Sequence, residues 1–186
     1  MDVFFKYLGL GFTHVIPFGF DHVLFIICLT LVARSWRSLL IQCSVFTLAH
    51  SISLGVTSFL RYYPDASWVE PLIALTILFA SLENILVRES SRMRLPLIFI
   101  FGLIHGMGFA AALNGAGIPE GHFLKALLGF NAGVEFGQIL IVLTVWLPVI
   151  RWMSNKDWYA PRVLYPASSI IACVAFYWTC KRLGYA

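Results

Sequence analysis

The chain has 186 residues, 60% of them hydrophobic and 12% charged, and a mean hydropathy of +0.84. A soluble domain carries about 25% charged residues, so there is too little polar surface here to coat a water-soluble globule, and an integral membrane protein is the class that remains. The formal net charge of +4 does not indicate a nucleic-acid binder, because the basic residues form no patch and sit in short connections between apolar runs, where they report topology.

A bilayer core of about 30 Å calls for about 20 apolar residues per helix. Six runs satisfy this, at 13–33, 38–60, 68–87, 95–114, 123–150 and 163–181, with a short interfacial segment over 3–12 leading into the first. The expected fold is therefore all-α, a six-transmembrane-helix bundle forming a single integral membrane domain over 1–186. The linkers carry helix breakers and charges: "RSWR", "RYYPDASW", "RESSRMRLP", "NGAGIPEGH" and "SNKDWYAP". The connections after the odd-numbered spans hold Arg34, Arg37, Arg88, Arg92, Arg94, Arg151, Lys156 and Arg162. The other end holds Lys6, Arg61, Lys125, Lys181 and Arg182. Lys and Arg concentrate on the cytoplasmic side, so both termini are expected outside the cytoplasm, the setting being a bacterial inner membrane. The N-terminal stretch shows no pattern of a cleavable signal peptide.

A charged side chain near the bilayer centre costs about 3 kcal/mol on insertion scales, and such residues face a bundle interior or a wet cavity. Taken in chain order, the first span, "FTHVIPFGFDHVLF", holds His14, Asp21 and His22. On an unbroken helix, residues seven apart share a face, which would align His14 with Asp21 and leave His22 one step round. Pro17 and Gly19 between them predict a kink or a late start. The second span places Thr47, His50 and Ser51 on one face, with His50 near mid-membrane. Alone, His50 reads as a buried imidazole bonded to a hydroxyl. In the third, Glu70 stands at the outer end beside Pro71, while Thr76 and Glu83 share a face. Glu83 is either a cavity group or a partner of Arg88. The fourth, "FGLIHGMGFAAAL", flanks His105 with Gly102, Gly106 and Gly108. Small residues let helices approach closely, which would bring His105 towards His50 or Asp21.

The fifth span carries Gly129, Gly133 and Gly137 every four residues as a packing stripe. Asn131, Glu135 and Gln138 form a polar set on another side. The sixth holds Ser168, Ser169, Thr179 and two cysteines and reads as structural. Cysteines 28, 43, 173 and 180 form no C-x-x-C pair and read as small buried hydrophobes; His122 reads as a solvated loop residue. The candidate ligands are His14, Asp21, His22, His50, His105 and Glu135, supported by Ser51, Glu83, Asn131 and Gln138. Imidazole and carboxylate donors suit a divalent transition metal ion such as nickel, cobalt or zinc.

The segments "HVIPFGFDHVLF", "FTLAHSISL", "VEPLIALTILFASLEN", "FGLIHGMGFA" and "LLGFNAGVEFGQ", in this order over about residues 9–142, resemble the HupE/UreJ family of small membrane proteins. The resemblance implies secondary transport of nickel or cobalt, with the first-span signature, His14, Asp21 and His22, as the metal site. His50, His105 and Glu135 match the family's "AHS", "LIHG" and "GVEFGQ" segments. His14 and Asp21 are separated by one residue more than in the permeases that name the family, so the chain resembles a second, less characterised branch. Two functions of different class remain open on the sequence. One is a permease for a divalent metal, a homo-oligomer fitting so small a transporter. The other is an intramembrane zinc hydrolase acting on a lipid or membrane segment, with Glu135 as base. A membrane chaperone delivering metal to a partner is a third, lesser reading.

Overall fold

The computed structural model describes residues 2–33, 35–87 and 94–185. The described chain is helical: α1 Val3–Val15, α2 Phe20–Val32, α3 Trp36–Phe59, α4 Ala66–Leu86, α5 Arg94–Gly115, α6 Phe123–Val145 and α7 Tyr165–Arg182. A π-helical turn, Trp146–Ile150, continues α6 past Pro148 into a last helical turn, Arg151–Met153, and a second π-helical turn, Ala160–Leu164, leads into α7. A prolyl nitrogen has no hydrogen to donate, so the ladder shifts locally to a wider turn without breaking. Side-chain caps set three of the starts. Asp2 accepts from the N–H of Phe4, Ser35 from Ser38 and Asp65 from Ser67, each satisfying a donor that a helix start leaves free.

Among the described residues, five helices are long and apolar enough to cross a membrane, and α1 with α2 makes a sixth crossing if the bent pair is one span. The helices after the first span fall within a few residues of the expected ranges. The first, expected over 13–33 with a kink or a late start at Pro17 and Gly19, is broken there. Its axis breaks at 16–19, the two halves meet at 71°, and the segment expected at the interface is the body of α1, packed along α6. Pro17 is the reason. The residue before a proline is pushed out of the helical region, and Ile16 is extended at φ −130 and ψ 119. Gly19 completes the turn, since a Cβ there would collide with the backbone of His14 and Val15. His14 and Asp21 therefore do not share a face of one helix; the break sits between them.

Lipid gives helices no hydrophobic reason to associate, so close backbone packing at small residues has to do it. The bundle is three such pairs around α2. The first is α1 along α6, in parallel: Gly129 meets Phe4, Gly133 meets Leu8 and Phe12, and Gly137 meets Val15. The second is α3 along α5, where Gly102 and Gly106 lie against the backbone of Phe46 and His50. The third is α4 along α7, with buried alanines on both, Ala74 and Ala80 on α4 and Ala172 and Ala175 on α7. α2 contacts α4 and α6 and buries residues on every side, from His22 to Leu31. Large apolar side chains such as Leu48, Phe79, Phe136 and Phe176 are exposed all round the bundle, as lipid requires. Exposed Trp36, Trp152 and Trp158 ring one end and Tyr62, Tyr63, Trp68 and Tyr185 the other, as aromatic belts do at two bilayer interfaces.

Candidate metal centre

The α1–α2 break is where the buried polar side chains meet. In lipid, irregular backbone is tolerated where it lines a cavity or is covered by protein. Here Phe18 and Gly19 line a cavity of about 360 Å³ together with His14, Asp21, His22, Glu70 and His105. His14 enters from the last turn of α1, His22 from the first turn of α2 and His50 from the middle of α3. One ring nitrogen from each lies within 4.8 Å of the others, a group able to hold a metal ion. Nitrogen ligands about 2.1 Å from a tetrahedral ion stand about 3.4 Å apart, so modest inward rotation of the rings would close the set.

The hydrogen bonding of these rings is unusual. Buried polar atoms in folded proteins nearly always have partners. His14 Nε2, His22 Nε2, His105 Nδ1 and one nitrogen of His50 are buried without one, while the Asn131 carbonyl oxygen is placed to accept from the other His50 nitrogen. Lone pairs concentrated in one place and withheld from protein donors are what a cation-binding cluster needs. His50 is not the hydroxyl-bonded histidine that its isolated sequence suggests.

His105 stands next to the triad. Its ring centroid is 5.1 Å from that of His22, and Thr76 Oγ1 holds its Nε2 at 3.0 Å, which orients the ring. Gly106 seats His105 here, because α5 can touch the backbone of His50 only where no Cβ intervenes. The walls are aromatic. Phe109 lies 3.9 Å from the His14 ring, Phe46 5.1 Å from His105, and Phe130 stacks on His50 at 6.4 Å and 12°. Rings of low polarity strengthen any ion–ligand attraction inside and penalise a bare charge.

The carboxylates are placed differently. Asp21 accepts from Arg182 Nη2 through both oxygens, at 3.0 and 3.2 Å. Glu135 accepts from Ser44 Oγ at 3.0 Å. Neither belongs to the group of three nitrogens. Among the supporting residues, Gln138 accepts from Thr47 Oγ1 at 3.1 Å, Asn131 donates to the Leu127 carbonyl and Ser51 to the Thr47 carbonyl. Glu83 lies outside the cavity, 3.4 Å from Arg94 Nη1; the alternative partner, Arg88, is outside the described residues. His122 is exposed and caps α6 as a loop residue. Arg182, which holds Asp21, is not flagged by the sequence, where the last span looks purely structural. An arginine ending an apolar run looks like a topology charge; the one local hint was Trp178, whose ring lies 5.4 Å from its guanidinium.

A bundle made for a bilayer, with histidines from separate helices gathered in a cavity inside it, defines a polytopic membrane protein with an intramembrane cluster of metal-ligating side chains. The family model described as HupE / UreJ protein matches residues 1–182, and the chain belongs to that family. Comparison with curated proteins and with solved structures returns no match.

Proposed function

We propose that the protein carries a divalent transition metal ion across the bacterial inner membrane, with nickel or cobalt as cargo and His14, His22 and His50 as the site that holds the ion in transit. The observation that carries this reading is the grouping of three ring nitrogens from three helices within 4.8 Å. Neutral imidazoles bind borderline metals selectively without adding negative charge, so the ion is held loosely enough to leave. His105, oriented by Thr76, is the adjacent donor. Asp21, one residue from His22, attracts the ion from the cavity mouth. Asn131, Gln138 and Glu135 line the α3–α6 contact on its far side and offer polar and charged groups to an ion moving on. The end that bears both termini, Glu70 and Arg182 faces out of the cytoplasm in this reading. Arg34, Arg88 and Arg92, part of the charge count behind it, lie outside the described residues.

A zinc hydrolase would use the same nitrogens but needs a carboxylate base at the metal. Asp21 is engaged by Arg182 and Glu135 by Ser44, which favours transport. The test is nickel uptake into proteoliposomes by the wild type and His50→Ala, with metal analysis of the same preparations. Uptake that collapses in the variant is the expected result. Equal uptake by both overturns the proposal, and a firmly retained zinc ion with turnover but no uptake replaces it with the enzyme.

A further inference from the structure

The cavity opens at one end and is shut at the other. Its mouth is at the partly exposed Asp21 and Glu70, and on α2 and α5 its lining stops at His22 and His105. Three of the histidines have a phenylalanine one helical turn deeper in the bundle. In "HVLF" Phe25 follows His22 by three residues, in "FTLAH" Phe46 precedes His50 by four, and in "FGLIH" Phe101 precedes His105 by four. Residues at these spacings share a helix face and lie roughly 5–6 Å apart along the axis. α2 runs away from the mouth and α3 and α5 run towards it, so the three rings fall at one level. They meet there. The Phe25 centroid is 5.0 Å from that of Phe46 and 6.1 Å from that of Phe101. Phe46 lies 5.1 Å from His105, 5.9 Å from His22 and 6.1 Å from His50. Phe25 and Phe46 are each 1% exposed. One turn further from the mouth, on the same face of α3 as Phe46, stands Gln42, 4% exposed. Its Nε2 donates to the carbonyl and hydroxyl oxygens of Ser38, and its Oε1 is buried without a partner among the described residues.

We propose that Phe25, Phe46 and Phe101 form the inner gate of the ion path, shut in this structure, and that the Gln42 amide oxygen receives the ion once the gate opens. The gate controls the histidine site and rests on the transport reading for what passes through it. A hydrophobic constriction excludes water and blocks ions by dewetting. A divalent ion pushed between the rings would lose its ligands and its water together, which is prohibitive in an apolar layer. The histidines therefore empty inward only when the rings part. A buried amide oxygen without a partner is unusual; on the far side of the gate it is the next ligand on this face of α3. The rings belong to two bodies. Phe46 and Phe101 sit on the α3–α5 pair, where Gly102 rests against the Phe46 backbone. Phe25 sits on α2, which packs mainly on α4 and α6. Sliding α2 against the α3–α5 pair parts the rings and leaves the glycine contact intact. α2 also carries His22, so the movement that opens the gate draws one ligand away from His50 and loosens the ion for release.

The test is the reactivity of Gln42→Cys in the full-length protein, with Cys28, Cys43, Cys173 and Cys180 changed to alanine, towards a charged, membrane-impermeant methanethiosulfonate. Phe18→Cys, at the mouth and 78% exposed, is the access control, and vesicles are used in the orientation in which it reacts. With the gate intact, Gln42→Cys is expected to react far more slowly than Phe18→Cys. Adding Phe25→Ala or Phe46→Ala should speed it several-fold, whereas Phe46→Leu, which keeps an apolar plug, should not. Gln42→Cys that reacts as fast as the control with all three phenylalanines in place overturns the proposal. So does one that stays slow in a monodisperse Phe25→Ala, Phe46→Ala double variant, and so does equal acceleration by Phe46→Leu and Phe46→Ala. If the alanine variants at Phe25 and Phe46 do not fold, Phe101→Ala, at the half-buried edge of the layer, decides by the same reaction, and an unchanged rate overturns the gate. Gln42→Ala in the native-cysteine protein should lower the maximal rate of nickel uptake several-fold without raising the nickel concentration for half-maximal uptake; an unchanged maximal rate overturns the role of Gln42. The thiol reaction needs no metal. Absence of His50-dependent uptake therefore counts against the transport reading alone, while the gate stands or falls on the labelling.

Discussion

At the scale of single residues, the histidines divide into ligands and positioning groups. His14, His22 and His50 supply the grouped nitrogens, so replacing any one by alanine should weaken nickel binding by at least about tenfold, or about 1.4 kcal/mol. Thr76 touches no grouped nitrogen but fixes His105. Partners of this kind orient a ligand, and their loss costs about 10–100-fold in metal affinity. If His105 joins the site, Thr76→Val should weaken nickel binding within that range, whereas an effect on thermal stability alone would make the hydrogen bond structural. Metal competes with protons for an imidazole, so nickel occupancy should fall on acidification in the wild type, measured by equilibrium dialysis at stepwise lower pH. Four of the five histidines were conspicuous in the sequence, because an imidazole in an apolar run is rare; His122, in a polar loop, was not among them. Which of them had free nitrogens was not legible, since that depends on partners from distant helices.

At the scale of elements, the placement of His14 depends on how α1 seats on α6. Gly133 meets the backbone of Leu8 and Phe12, and a larger residue in a filled contact costs about 1–3 kcal/mol. Gly133→Leu should therefore lower the unfolding temperature in detergent and weaken nickel binding together, by moving His14. Gly9, on the same helix, has open space where a Cβ would go. Gly9→Ala should leave nickel binding intact and stabilise α1 by up to about 1 kcal/mol through its better helix propensity. The start of α1 is tethered by Asp2. Lys125 hydrogen-bonds its carboxyl and holds it below its ordinary 3.8, with the Phe4 N–H adding to this. A carboxyl lowered in the folded state contributes stability above its ordinary value and loses it as pH falls through the lowered one. The tether is thus complete at neutral pH, and Asp2→Asn should speed amide exchange in the first turn of α1 without altering nickel binding. The glycine stripe on α6 was legible as a periodicity. Its partner was not, because a stripe names a face without naming what covers it.

At the scale of the whole molecule, two features hold the bundle in register. The termini share one end: Asp2 pairs with Lys125 and Arg182 with Glu70. Reporters fused to the two ends should therefore both read as outside the cytoplasm. Opposite readings would mean that α1 and α2 do not make one crossing. At the other end Arg94, 2% exposed, lies 3.4 Å from Glu83 and donates to Asn84. Asn84 donates in turn to the Cys28 carbonyl and to Ser168, so α2, α4, α5 and α7 are joined at one point. Removing one partner of a buried pair costs about 3–5 kcal/mol because the other charge is stranded. Arg94→Met should destabilise the protein on that scale, and adding Glu83→Gln should recover much of the loss, as read by thermal unfolding in detergent. In the sequence Arg94 has the look of a loop charge reporting topology. Its burial follows from α5 starting inside the bundle, which no local pattern reveals.

Composition and the spacing of apolar runs were enough to read off a membrane-embedded helical chain. A helix satisfies its own backbone and lipid demands apolar side chains, so both conditions are met within each segment. The polar residues that break this pattern could be picked out for the same reason. Their meeting could not. His14, His22 and His50 come together because a proline bends the first span at 16–19, α1 lies on the glycines of α6, and α5 presses its own glycines against α3. Those contacts join positions far apart in the chain, and distance along the chain carries no information about which faces touch.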